Sequence, residues 1–224
     1  MRFNPKLAAW AFATTATAFS LGAHAASVEV KVIGTIIPNA CTPTLAGGGT
    51  IDYGTRSSTD LSANDFTLLP EKNVAFTIVC NAPTKVALKA IDNRAGTRVP
   101  GAVKKIRPAL NEVGAFGLGN ASGKNIGVYA MTLAVNDFTA DGAKVESTFS
   151  KDSGTTWLNS SSGGIANDGS VLMSWSATTA GAPIAFKTLS GTLNVQAALN
   201  KGSELDLSSD VSLDGSATLE LVYL

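Results

Sequence analysis

The chain has 224 residues, 17 basic and 17 acidic side chains, and a single histidine. Charged residues make up 15% of it, below the usual quarter or so. That balance excludes the basic surface on which nucleic-acid binding depends.

The first 25 residues read apart from the rest. Arg2 and Lys6 give a positive start, Leu7 to Leu21 is mostly apolar, and small residues close the stretch at Ala23-His24-Ala25. A basic head, an apolar middle and an A-x-A end are the parts of a secretory signal peptide. Thr14, Thr15, Thr17 and Ser20 interrupt the apolar run, which therefore suits cleavage after Ala25 better than a membrane anchor. Cleavage would remove His24, Arg2 and Lys6, leaving 15 basic against 17 acidic residues and a start at Ala26. No later segment is apolar and long enough to span a bilayer. An exported, soluble chain with one sizeable domain is expected. Few charges among many Ala, Gly, Ser and Thr leave broad neutral surfaces, which are candidates for contact with other subunits.

From there the chain alternates or runs in β-branched apolar residues between Gly, Pro, Asn and Asp. Val28, Val30 and Val32 share one face, with Ser27, Glu29 and Lys31 on the other, and Ile33 to Ile37 continues to Pro38. Further strands are expected over Thr50–Tyr53, Val74–Cys80, Lys85–Ile91 and Ile126–Val135. Others follow over Val145–Phe149, Val171–Ser176, Ile184–Leu189, Thr192–Leu199 and Ala217–Leu224. Only Asn64–Lys72 and Ala102–Val113 leave room for short helical turns, and Pro108 weakens the second. Ala46–Gly49 and Ser160–Gly164 read as loops. Many short strands with turn signals between them predict an all-β antiparallel sandwich.

Cys41 and Cys80 form an even pair in an exported domain and read as a disulfide. A metal pair lacks support: two thiolates are too few ligands, and no histidine would remain to complete a zinc site. No cofactor is expected, and no catalytic residue is assigned. The glycines from Gly114 to Gly123 miss the phosphate-loop spacing, since Leu118 stands at the first glycine position and Asn125 where Ser or Thr should ligate magnesium. A histidine-based nucleophile site is impossible after cleavage. Asp92, Asp137, Asp141, Glu146 and Asp152 are spread over expected loops with no pairing spacing and read as solvated acids. Trp157 and Trp175 suit packing better than stacking on a sugar.

Several fragments, in order, resemble the chaperone–usher pilins. They are Gly34-Thr-Ile-Ile-Pro-Asn-Ala-Cys41, Asp52-Tyr-Gly54, Phe76-Thr-Ile-Val-Cys80, Asn125-Ile-Gly-Val128 and Pro183-Ile-Ala-Phe186. The close, Ala217-Thr-Leu-Glu-Leu-Val-Tyr223-Leu224, is similar to the pilin C-terminal strand with its penultimate tyrosine. Ala90–Gly96 and Phe116–Gly119 resemble a branch of fimbrial-like proteins known mainly as a domain of unknown function. Extra residues near Thr97–Gly114 and Ser147–Gly169, and a short tail before Gly34, depart from the minimal pilin.

The resemblance implies an immunoglobulin-like sandwich that lacks its last strand, spanning residues 38–224, with 26–37 as a donor-strand-like extension. A neighbouring subunit's tail would fill the gap, a mode of β-augmentation known for pilins. Val28, Val30 and Val32 would be the donor residues, and Leu219, Leu221 and Tyr223 would line the edge that meets chaperone or donor; nothing after Leu224 supplies a further strand. The implied function is a structural subunit of a surface fimbria that supports adhesion and has no enzymatic activity. Its partners would be a periplasmic chaperone, an outer-membrane usher and neighbouring pilus subunits, with transit through the periplasm to the cell surface. A secreted or tip-located carbohydrate-binding module, meeting a host or surface glycan, is the alternative.

Overall fold

In Lys72–Thr84 the alternate side chains Phe76, Ile78, Cys80 and Thr84 are buried, while Ala75, Val79 and Asn81 are exposed. That period of two is what a strand with one covered face requires. The computed structural model describes residues 27–179 and 181–224; the expected leader, with its cleavage site and His24, lies outside them. Two compact units are present, one ending at Ile37 and the other running from Pro38 to Leu224. Residues 27–37 of the first contain no strand, and all of their side chains are exposed. The strand expected over Val28–Ile37 is therefore absent, since these residues pair with no neighbouring strand.

Eight longer strands build the second unit, and we label them in chain order: β1 Cys41–Leu45, β2 Lys72–Thr84, β3 Val86–Asp92, β4 Gly127–Leu133, β5 Glu146–Ser150, β6 Leu172–Ser176, β7 Phe186–Leu199 and β8 Ala217–Tyr223. All pair antiparallel in two main sheets. One sheet has the order β1-β2-β7-β4 and ends on Phe116–Gly117; the other runs from Leu158–Asn159 through β5-β6-β3 to β8. Lys85 alone separates β2 from β3, so the chain passes from one sheet to the other at a sharp corner. The expected all-β antiparallel sandwich is the observed fold.

Trp175 sits fully buried between the sheets, with the rings of Phe138, Phe186 and Phe76 at 5.5, 6.1 and 6.3 Å. Phe138 reaches this position because residue 191 is glycine: a Cβ there would lie 2.4 Å from its ring. A second apolar cluster lies on the far side of β4, where Val99, Ala102, Val103 and Leu110 pack on Val128 and Ala130. The extra residues after Thr97 thus cover a sheet face that would otherwise meet solvent.

Several boundaries differ from expectation. Thr50–Tyr53 is not a strand; β1 precedes it and takes the pairing with β2. Ile184–Leu189 and Thr192–Leu199 are one strand, β7, with a register shift at Phe186/Thr188. Asp141 serves that shift, its carboxylate accepting the N–H groups of Lys187 and Thr188. Asn64–Lys72 holds no helix; Thr67–Leu68 instead pairs with the end of β7. Val103–Ile106 is the one α-helix among the described residues, ending before Pro108. The glycine run ends in a hairpin, Asn120–Ala121 against Lys124–Asn125, whose turn residues Ser122 and Gly123 both have positive φ.

Candidate functional site: the open flank between β1 and β8

The two sheets have unequal flanks. On one, Phe116–Gly117 pairs with Tyr129 and Val128 of β4. Beyond them, Leu133 N–H donates to Gly163 O at 2.8 Å and Ile165 N–H to Met131 O at 3.1 Å. The same segment reaches the other sheet, where Asp92 N–H donates to Asn167 O at 2.7 Å. The extra residues before Gly169 therefore close this flank.

The opposite flank is bounded by β1 and β8, which among the described residues pair only with β2 and with β3 respectively. Bonds just beyond the ends of β8 fix which backbone groups are free. Asn93 N–H donates to Ser216 O at 3.0 Å and Leu224 N–H to Lys85 O at 3.1 Å. In an antiparallel ladder the hydrogen-bonded positions alternate, so even residues from 216 to 224 face β3. Ala217, Leu219, Leu221 and Tyr223 therefore turn their N–H and C=O groups away from β3, to the open side. Leu219 and Leu221 also pack half-buried on the core, while Thr218 and Glu220 face solvent. The edge that β8 presents thus combines unpaired backbone with partly covered apolar side chains.

Strand β1 presents a different edge. Asn81 N–H donates to Ala40 O at 3.0 Å, so by the same alternation Cys41, Pro43 and Leu45 face the gap. Cys41 N–H is already occupied, donating to the Tyr223 hydroxyl at 2.8 Å. Pro43 has no N–H to offer. Leu45 is the remaining donor, and its side chain is half-buried on the core. The Cys41–Cys80 disulfide fastens β1 to β2 at the corner end of this flank.

These positions include the edge residues read from the sequence. Leu219, Leu221 and Tyr223 lie together on the free side of β8, and the disulfide joins Cys41 to Cys80. Val28, Val30 and Val32 belong to the first unit, where they are 80–93% exposed. The sequence reading passed over β1 and the amide of Cys41. Its available signal was Pro43 within an alternating stretch, a residue confined to sheet edges.

A polar node secures the start of β8. Arg94 forks onto the Asp214 carboxylate, Nε to Oδ2 at 2.9 Å and Nη2 to Oδ1 at 3.0 Å. This guanidinium holds the Asp214 carboxyl below its ordinary range. Asp214 N–H donates to Leu118 O at 2.9 Å. Asp92 corrects the expectation of a solvated acid. It is buried and accepts N–H bonds from Arg94 at 2.8 Å and Gly117 at 3.0 Å. Gly117 is needed because a Cβ there would lie 2.3 Å from Arg94 O. The Ala90–Gly96 and Phe116–Gly119 segments thus meet in one structural node.

The remaining candidates are occupied in the fold. Asp152 caps its own turn: the Thr156 hydroxyl, the Thr156 N–H and the Ser150 hydroxyl hold its carboxyl down at about 2. Trp157 spends its indole N–H on Gly154 O at 3.0 Å. Among the described residues no three His, Cys, Asp or Glu side chains gather closely enough to hold a metal ion, and no helix is long and apolar enough to cross a membrane.

Comparison with known proteins adds two findings. Residues 30–130 match a family described as "Protein of unknown function (DUF1120)", a span that contains Val30 and Val32 of the tail, the disulfide and both segments of the node. The chain is similar along almost its whole length to two proteins of Escherichia coli (strain K12). It is 29% identical to Protein GltF over 249 aligned positions, covering 99% of this chain and 98% of the relative. It is also 29% identical to Uncharacterized protein YhcF over 232 positions, covering 92% of this chain and 94% of that one.

Proposed function

We propose that this protein is a structural subunit of a surface fimbria, assembled by strand addition into the open flank between β1 and β8. The observation that carries the reading is the edge of β8. Four consecutive outward-facing backbone positions lack a partner strand there among the described residues, and Leu219 and Leu221 beside them are only partly covered. An unprotected edge of this kind invites a strand from another chain. A period-two apolar segment is available in each copy, since Val28, Val30 and Val32 are exposed in residues 27–37.

Addition of a tail from one copy to the edge of the next is a heterologous contact, which propagates as a filament. A periplasmic chaperone would cover the same edge before an outer-membrane usher passes the subunit on to the cell surface. The closed flank and the covered face of β4 take that side of the sandwich out of play, and β8 is the longer of the two terminal strands of its sheet. In this reading the protein binds no cofactor and performs no catalysis.

The test appends Ser27–Ile37 after Leu224 of the chain starting at Ala26, through a short flexible linker, and compares urea unfolding with and without the appendage. The expected result is a fused form several kcal/mol more stable, since apolar surface along a whole strand becomes buried. An equally stable parent would mean that the sandwich needs no further strand, and the reading would be abandoned.

A further inference from the structure

The open flank is bounded at both ends. At the corner end, the Tyr223 hydroxyl accepts Cys41 N–H at 2.8 Å and spans the gap between β8 and β1. At the other end the edge stops at Ala217. Before it the chain turns away, with Asp214 bonded to Leu118 O and to the Arg94 guanidinium. Between these limits β8 offers the backbone groups of Ala217, Leu219, Leu221 and Tyr223 and no others.

Charge selects a register within that length. Glu220 lies on the solvent face of β8, paired across the ladder with Lys89 at 3.2 Å. The donor segment carries Glu29 and Lys31 on the face opposite its valines. With Lys31 beside Glu220, the valines fall on the apolar side of the edge. A shift by two residues would set Glu29 beside Glu220, and like charges directly opposite one another are unfavourable. Direction follows from the exit. Each tail continues through residues 35–37 into its own sandwich, so its C-terminal side needs an open end. In a parallel arrangement those residues would run into the Tyr223–Cys41 bridge, whereas an antiparallel one releases them past Ala217.

We infer that the acceptor is a short, one-sided site: the β8 edge takes residues 28–34 of a second copy, antiparallel. Val28, Val30, Val32 and Gly34 then stand opposite Tyr223, Leu221, Leu219 and Ala217, with Lys31 opposite Glu220. On the far side β1 offers the carbonyls of Cys41, Pro43 and Leu45 but few donors, because Cys41 N–H is taken and Pro43 has none, so β8 supplies the fuller ladder. This inference rests on the strand-addition reading above and adds its partner segment, length and register. It also gives the short tail a reason: the site it fills is no longer than the tail.

The test is a length series of appended segments after Leu224, Ser27–Val30, Ser27–Gly34 and Ser27–Ile37, read by the urea midpoint. The midpoint is expected to rise from the first to the second and to stay unchanged from the second to the third. In the Ser27–Gly34 form, Lys31→Glu in the appended copy should lower the midpoint, and it should lower it less when Glu220→Lys, which also loses the Lys89 pair, is already present in the reference form. A midpoint still climbing between Gly34 and Ile37 overturns the bounded site while leaving strand addition standing. A Lys31→Glu form with an unchanged midpoint, or a loss from Lys31→Glu that is undiminished in the Glu220→Lys background, overturns the register. No gain from any appended length removes strand addition itself, and this inference with it.

Discussion

Strands β4 and β8 are both seven residues long, yet β4 is buried at every position and β8 at none. The difference comes from their neighbours. β4 lies between β7 on one edge and Phe116–Gly117 with Gly163–Ile165 on the other. The core covers one of its faces, and the Val99–Leu110 segment covers the other. β8 has β3 on one side and, apart from the Tyr223–Cys41 hydrogen bond, no strand of the second unit paired along the other. A strand with every edge and face covered belongs to the interior of the domain, whereas a partly covered one with a single paired edge leaves its other edge exposed.

That contrast can be broken or sharpened by experiment. The largest expected effect is loss of the Cys41–Cys80 bridge, which closes a separation of 39 residues and holds β1 at the open flank. Removing it should cost about 4 kcal/mol in the chain-entropy account, seen as a lower urea midpoint under reducing conditions. An unmoved midpoint would mean that the flank is held by other contacts. Next comes Met131→Ala in β4, a buried truncation expected to cost about 2–5 kcal/mol by the same measurement.

Leu221→Ala should cost less, about 1–2 kcal/mol in the chain alone, because its side chain is already half exposed. In the form with Ser27–Ile37 appended, the cost should rise toward that of Met131→Ala. Equal costs in both forms would place Leu221 outside the strand-addition site. The smallest effect is a dependence on pH. The Asp152 carboxyl is held at about 2, below its ordinary 3.8, by hydrogen bonds made in the folded chain. A depressed folded value stabilises above the unfolded one, so this contribution is present above pH about 4 and fades as pH falls toward about 2. Asp152→Asn should flatten that limb of the stability curve, and an unchanged acid limb would show that the turn contributes nothing.

Much of the fold was legible in the residues. Alternation in Phe76, Ile78 and Cys80, and again in Leu219 and Leu221, marked strands with one covered face, and the two cysteines marked the bridge. The expected strand at Ile126–Val135 is present as Gly127–Leu133, mostly apolar apart from Thr132, and is buried on both faces. Other features were hidden because they depend on residues distant in sequence. The 13-residue β2 and 14-residue β7 read as shorter pieces, since small and polar residues on their outer faces weaken the local pattern. Thr50–Tyr53 has strand-forming residues, but β1 holds the place beside β2. Asp92 looked like a loop acid, and only its contacts with Gly117 and Arg94 account for its burial.

The sequence by itself determined the all-β class, the bridge between Cys41 and Cys80, and which face of each amphipathic strand turns inward. These follow from the period of side chains along a strand and from the chemistry of a paired thiol. The tertiary structure alone decided which edges are closed and which is left open. Pairing is a property of two segments: Gly163–Ile165 closes β4 from 30 or more residues away, and the Tyr223 hydroxyl reaches the Cys41 amide across 182. Neither contact leaves a local pattern, because the backbone groups it satisfies are the same in every residue.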